Sequence, residues 1–456
     1  MSNSNLTAEQ YLQQLQFHAM LEVGIFPEIE AEKLRTSLQA ALNQLPPEQL
    51  RQQVLAEIED FERDRQRERD RLMSDPQLRV LFDQVYPGSR VLTEEELAAT
   101  ALRLSATPEQ FEAFWRIAMP TPYEHPLFHR ALVVVKPLIE KAVARLNLSP
   151  SSLPLIGTLP TGEFHARVMP VPDSAQSLVL FNNGWFAFLL RAIPILFRYI
   201  NSLQPAIQSL TRSEIERLAP GEAVLLKALS PKDQVKAIVA ADLYKLMAAY
   251  LTTLNPSKTP YAFNQLPDPF KMMVTAHWLQ PIQFFVMAHE YGHLINGDLD
   301  PAKAILAKIG DEIFAYQETS WDDEFRADET GMRIVLKAWE SSHARHVPGA
   351  AIDIFFILVE LLEQARARLT FGNADGGDNS YPPAGERRER ARIWMLANVE
   401  PKTATYLANL YWAFDDLYRT LSSSIQVSFI ALHAQGVRPM EPWTRSIFHL
   451  YPDRGM

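Results

Sequence analysis

Residues 286–298, with the sequence VMAHEYGHLINGD, constrain the fold of this chain more than any other segment. They place two imidazoles and one carboxylate, those of His289, Glu290 and His293, within five consecutive residues. On a helix, positions i and i+4 lie on one face about one turn apart, so both histidines point the same way. They also continue an apolar stripe that begins at Ile282 with a spacing of three or four residues. The sequence therefore predicts a buried helix whose inner face carries ionisable side chains.

The spacing of these residues is the HExxH pattern of zinc sites. Two imidazoles one turn apart can bind one zinc ion, and zinc lowers the pKa of a bound water to about 7. A lone histidine on an apolar face is usually a core residue with a hydrogen-bond partner. Burying His289, Glu290 and His293 together without a metal would carry a large desolvation cost. We therefore expect His289 and His293 to bind zinc, Glu290 to be the catalytic base, and Gly297 to end the helix in the left-handed conformation.

A zinc site of this kind needs a third protein ligand and an open fourth position. A third histidine six residues after His293 is excluded, because that position is Leu299. Downstream, Ser320 predicts a helix start, and five later residues share one face of that helix: Glu324, Ala327, Asp328, Gly331 and Val335. We expect Glu324 to reach the metal and Asp328 to orient a ligand imidazole. Three other acids remain as alternatives for the ligand: Asp322, Asp323 and Glu329.

Composition limits the classes of ligand and partner. The chain has 456 residues, a formal net charge of −10 and no cysteine, so any metal must be bound by His, Asp or Glu. The acidic balance argues against nucleic acid as the main partner, since phosphate binding needs a positive field. The most apolar stretch, 178–200, is interrupted by asparagines, an arginine and a proline. It predicts a buried strand followed by a core helix, so we expect no membrane span. The absence of cysteine fits a reducing compartment, and the first seven residues lack the charged and apolar regions of a signal peptide, so we expect a cytoplasmic location.

The distribution of helix-like and strand-like segments along the chain predicts an α+β fold that is mostly α. Residues 1–150 are predicted to form a helical N-terminal domain of unknown role, with a charge-balanced helix near 48–73. Strand-like segments follow, and a turn signal between 163–171 and 177–181 predicts an antiparallel hairpin in a small antiparallel sheet. Helices dominate from about residue 184 to the end, and 301–310 has room for a helix between the two metal motifs.

Three short motifs resemble those of a known family: HEYGH at 289–293, NGD at 296–298 and EFRAD at 324–328. The chain is similar to gluzincin metallopeptidases of the prenyl-protein (CAAX) protease and HtpX heat-shock protease type. The resemblance implies a zincin-like peptidase domain over 151–456, with a core of about 155–395 and a helical C-terminal part over 396–456. It implies that His289, His293 and Glu324 bind Zn²⁺ and that Glu290 is the general base. It also implies a peptide or protein substrate, which would pair with an edge strand of the hairpin.

Further positions carry weaker similarity. Tyr381, followed by two prolines and by Arg387 six residues later, stands where the family has a histidine in a His-Pro-Pro segment. A tyrosine hydroxyl there could stabilise an oxyanion, and Arg387 would support the ligands. His165 stands where the family usually has asparagine.

These departures leave an alternative open: a catalytically weak or inactive zincin-fold protein that acts as a regulatory or partner-binding module. Its helical N-terminal region would contact a protein partner. A transcription regulator with an appended zincin domain is a weaker alternative, because the chain is acidic and has no convincing basic helix.

Overall fold

The computed structural model describes residues 7–22, 120–121, 123–172, 174–202, 231–254, 269–299, 304–309, 312–317, 320–340, 346–372 and 382–440. Within these ranges the helices are α1 Ala8–Glu22, α2 Pro126–Arg145, α3 Asn183–Ser202, α4 Pro231–Thr253, α5 Pro269–Asn296, α6 Trp321–Ala338, α7 His346–Phe371, α8 Ala384–Asn398 and α9 Pro401–Ala434. The strands are β1 Leu155–Leu159, β2 Ala166–Pro170, β3 Ser177–Asn182, β4 Ala304–Ile309 and β5 Glu312–Gln317. The expected α+β class, mostly α, is confirmed.

The three-stranded sheet has the order β1-β3-β2. Strands β2 and β3 pair antiparallel, with Val168 opposite Val179, which confirms the predicted hairpin. Strand β1 pairs parallel to β3, so the small sheet is mixed and the expectation that it is antiparallel is wrong for β1. All six residues of β3 are buried, and such a strand needs hydrogen-bond partners at both edges. An apolar segment such as β1 does not specify its direction, because the connection to its partner strand sets it.

Segment 301–310 does not form the expected helix. Strand β4 lies within it and pairs antiparallel with β5, with Ile309 opposite Glu312. The two segments contain several β-branched and aromatic residues, which favour strands over a helix this short. The partner strand lies outside the segment, so the segment alone did not reveal it.

Helix α1 covers the outer face of the sheet. Its apolar residues pack with Leu178 and Leu180 of β3, and Leu12 lies so close to β1 that a Cβ at Gly157 would come within 2.7 Å of it. The inner face of the sheet, with Val179 and Phe181, belongs to the main core that includes α2 to α9. The sheet is therefore a middle layer between α1 and the helical core.

A buried polar network fixes α1 in this position. The amide of Gln16 donates hydrogen bonds to Glu124 (2.9 Å) and to the backbone oxygen of Thr158 in β1 (2.7 Å). The other oxygen of Glu124 accepts from the backbone N–H (2.8 Å) and hydroxyl (2.6 Å) of Thr158. A buried carboxylate is stable only with such donors, so α1, the segment before α2, and β1 depend on one another.

The predicted division at residue 150 stays a prediction. Helices α1 and α2 both precede it, yet they pack on the sheet and on the core. The charge-balanced helix predicted near residues 48–73 lies outside the described residues. No helix in the described ranges is long and apolar enough to cross a bilayer. Strand β3 and helix α3 confirm the prediction of a buried strand and a core helix for 178–200.

Helices α5 and α6 meet at their backbones. A Cβ at Gly292 would lie 2.8 Å from the carbonyl oxygen of Ala327, and one at Gly331 would lie 3.0 Å from the backbone nitrogen of His289. The small residues Ala327 and Gly331 of α6 therefore lie at the contact with α5. This crossing positions the candidate metal ligands.

Replacing Gly292 by Ala should destabilise the protein. The methyl group would clash with backbone at a cost of about 1–3 kcal/mol. The better helix propensity of alanine offsets at most about 1 kcal/mol of this. Urea unfolding should give a lower midpoint for Gly292→Ala than for Gly349→Ala in α7, whose methyl group would meet the flexible side chain of Leu407 in α9. Equal midpoints for the two variants would contradict the close contact.

Candidate metal centre

Three buried donor atoms converge where α5 crosses α6. The Nε2 atoms of His289 and His293 are 3.2 Å apart. Glu324 of α6 places Oε2 at 3.4 Å from Nε2 of His289 and Oε1 at 3.6 Å from Nε2 of His293. All three side chains are buried, and this group could hold a metal ion. The structure thus brings together the three residues that the sequence nominated as ligands.

The donor set fits zinc. Two imidazole nitrogens and one carboxylate oxygen are a usual ligand set for catalytic zinc, with a fourth position for water. Ligand atoms about 2.0–2.1 Å from a tetrahedral zinc would lie about 3.3 Å apart. The observed separations between the donor atoms of His289, His293 and Glu324, 3.2–3.6 Å, agree with that spacing. Calcium and magnesium prefer all-oxygen sites, which this set is not.

The other acids considered from the sequence lie elsewhere. Asp322 and Glu329 are exposed on α6. Asp323 closes the predicted capping box, since its carboxylate accepts from the backbone N–H of Ser320 and its own N–H donates to the Ser320 hydroxyl. Of the four candidates, Glu324 is the acid that faces both histidines.

Asp328 and Arg387 lie directly behind two of these side chains. Oδ1 of Asp328 is 2.9 Å from Nδ1 of His289, on the ring side opposite the donor atom. Arg387 of α8 donates to both oxygens of Asp328, through Nε (2.8 Å) and Nη2 (2.7 Å). Its Nη1 lies 3.3 Å from Oε2 of Glu324. A carboxylate this close to Nδ1 of a ligand imidazole keeps its Nε2 directed at the centre.

A second aspartate, which the sequence reasoning did not include among the site residues, lies behind His293. Oδ2 of Asp298 is 2.9 Å from Nδ1 of His293, and Oδ1 accepts a hydrogen bond of 2.8 Å from Nη2 of Arg326. The sequence did carry a signal: Asp298 follows Gly297 directly, and the left-handed Gly297 (φ 73°) turns the chain back towards His293. Each histidine therefore has its own aspartate.

The electrostatics of the site favour positive charge at its centre. Burial lowers the pKa of His289, but hydrogen bonds to Asp328 and Glu324 and their charges outweigh this and raise it to about 10. Burial acts to raise the pKa of Glu324, yet the hydrogen bond to His289 and the charge of Arg387 hold it well below its usual value. The pKa of Asp328 is also lowered, against the effect of burial, mainly by Arg387. The carboxylates thus stay ionised around the imidazoles.

Glu290 lies beside the ligands, buried between α5 and the sheet. Burial raises its pKa, while the charges of His289 and His293 and a hydrogen bond from the backbone of Val168 in β2 act in the opposite direction. A carboxylate with a raised pKa is a better proton acceptor near neutral pH. The contact with Val168 also places β2, an edge strand of its sheet, next to Glu290.

Two other predicted positions have different outcomes. Tyr381 lies outside the described residues, so its role as oxyanion donor stays a prediction. His165 is half-buried just before β2, and burial together with the charge of Arg167 lowers its pKa to about 3. The charges of Glu324 and His289 also act on His165, so a neutral imidazole lies close to the candidate metal ligands.

No protein-family model, curated protein or solved structure matches this chain. The function of the chain is therefore inferred from the site itself.

Proposed function

We propose that this chain is a zinc-dependent peptidase of the gluzincin type. The observation that carries the proposal is the convergence of His289, His293 and Glu324 on one buried point, with Glu290 beside it. Bound there, zinc would supply Lewis acidity and a water whose pKa is lowered to about 7. A ligand set of two histidines and a glutamate, with the glutamate at the second position of HExxH as general base, is the arrangement used for peptide hydrolysis.

The side chains of this chain would perform the proton transfers and the positioning. Glu290 takes a proton from the attacking water and returns it to the amine that leaves. Asp328 holds the ring of His289 in one tautomer, and Arg387 holds the carboxylates of Asp328 and Glu324 in position. The edge strand β2 lies next to Glu290 and offers backbone groups to an extended peptide. Tyr381 is the candidate donor to the oxyanion, as the resemblance implies.

Metal analysis of the purified full-length protein, followed by a peptide-library digest, tests the proposal. We expect close to one zinc per chain, and peptide cleavage that is lost with a chelator and restored by added zinc. Absence of zinc even after reconstitution would falsify the metal site and with it the peptidase assignment.

Zinc without hydrolysis of any peptide would favour the alternative, a zincin-fold regulatory or partner-binding module. The substitution of Tyr381 for the family histidine motivates this alternative. Zinc binding and peptide hydrolysis must both be measured on the whole chain, because deleting residues 1–150 would remove α1 and α2, which pack on the sheet and core.

A further inference from the structure

We infer that Asp298 is a positioning residue for His293, and that Arg326 holds Asp298 through an ion pair open to solvent. The inference rests on the proposed metal site and extends it to the second histidine. It concerns the orientation of His293, not a contact with substrate.

The turn at the end of α5 brings Asp298 back against the last turn of that helix. Gly297 adopts φ 73°, and the backbone N–H of Asp298 donates to the carbonyl oxygen of His293 at 3.0 Å. This turn places the Asp298 carboxylate 2.9 Å from Nδ1 of His293, with its side chain 1% exposed. Because the contact is built into the helix end, the carboxylate has little freedom to face elsewhere.

A carboxylate at Nδ1 has two effects on a metal-binding imidazole. It fixes the proton on Nδ1, so that Nε2 presents its lone pair to the centre, and it makes that nitrogen more basic. For His293, Nε2 faces both His289 and Glu324. The chemistry therefore assigns Asp298 the same task on His293 that Asp328 has on His289.

The two arginines behind these aspartates differ in exposure. Arg387, which holds Asp328, has a side chain that is 17% exposed. Arg326, which holds Asp298 and also contacts Asp323, is 58% exposed. Salt screens charges in contact with solvent much more than buried ones. High ionic strength should therefore weaken the Arg326–Asp298 ion pair behind His293. It should leave the Arg387–Asp328 ion pair behind His289 almost unchanged.

Zinc affinity, measured by competition with a chromophoric chelator, tests the role of Asp298. Asp298→Ala should bind zinc roughly 10- to 100-fold more weakly than wild type, the usual effect of removing such a partner. Asp298→Asn should lose less, because its carbonyl oxygen can still accept from Nδ1. Glu329→Ala, which removes an exposed acid from α6, should bind like wild type. With cobalt(II) in place of zinc, the visible spectrum should change in Asp298→Ala and not in Glu329→Ala.

A salt series tests the role of Arg326. At low salt, Arg326→Ala should weaken zinc binding by roughly two- to fivefold, as expected for an exposed ion pair. The difference from wild type should vanish at about 1 M salt, where the Debye length is about 3 Å. Arg333→Ala, which removes another exposed arginine from α6, should match wild type at both salt concentrations.

The outcomes separate this inference from the proposed function. Zinc-free wild type would overturn the metal site itself. If wild type binds zinc and Asp298→Ala binds it with equal affinity, the positioning role alone is overturned. If Asp298→Ala does not fold, the same conclusion follows when Asp298→Asn and Arg326→Ala both bind zinc with the wild-type affinity.

Discussion

Glu290→Gln is expected to lower kcat/KM for peptide hydrolysis by roughly 10²- to 10⁴-fold, the usual contribution of general acid–base catalysis. Glutamine has nearly the same shape, but it cannot accept the proton of the attacking water. Glu290 is not among the three converging donors, so the zinc content of the variant should equal that of wild type. The measurement is the rate on the best peptide from a library, together with metal analysis of the same sample.

Glu329→Gln is the matched control for this variant, because it makes the same chemical change at an exposed position of α6. It should retain the wild-type rate and zinc content. A Glu290→Gln protein that cleaves at the wild-type rate would remove Glu290 from the mechanism. One that loses both zinc and activity would instead make Glu290 a structural support of the site.

Glu324→Ala is expected to remove zinc from the purified protein. It deletes one of three converging donors, and loss of a ligand should exceed the 10- to 100-fold effect typical of the groups behind ligands. Wild type should gain about 2.7 kcal/mol of stability at a zinc concentration 100 times its Kd. The variant should show little of that gain, which a thermal unfolding series with added zinc would measure.

Asp322→Ala is the control for the ligand variant. Asp322 was an alternative ligand in the sequence and is exposed on the first turn of α6, so its removal should leave zinc binding unchanged. Zinc retained in Glu324→Ala and lost in Asp322→Ala would reverse the choice between the two acids.

Features governed by local periodicity could be predicted from the sequence. The buried face of α6, its capping box at Ser320 and the left-handed Gly297 depend on residues a few positions apart. The nomination of Glu324 followed from that face, because Ala327 and Asp328 lie one turn behind it.

Features that depend on distant pairing could not be predicted in the same way. The parallel direction of β1 and the β4–β5 hairpin depend on partner strands. The partner of Asp298, Arg326, lies 28 residues further along the chain. Arg387 lies 59 residues from Asp328, and it was nominated only through the family resemblance. Local sequence specifies each helix, but the contacts between helices complete the site.

The position of α1 on the outer face of the sheet has a consequence for the order of folding. During synthesis α1 leaves the ribosome long before β3, the strand that it covers, so its apolar face has no native partner until residues near 180 are made. Such non-local closure is slow, because chain entropy is lost before the contact is gained. We therefore expect the hydrogen bond between Gln16 and Thr158, which are 142 residues apart, to form late. Until then, the apolar surfaces of α1 and the sheet stay exposed, and we expect them to make the nascent chain prone to aggregation.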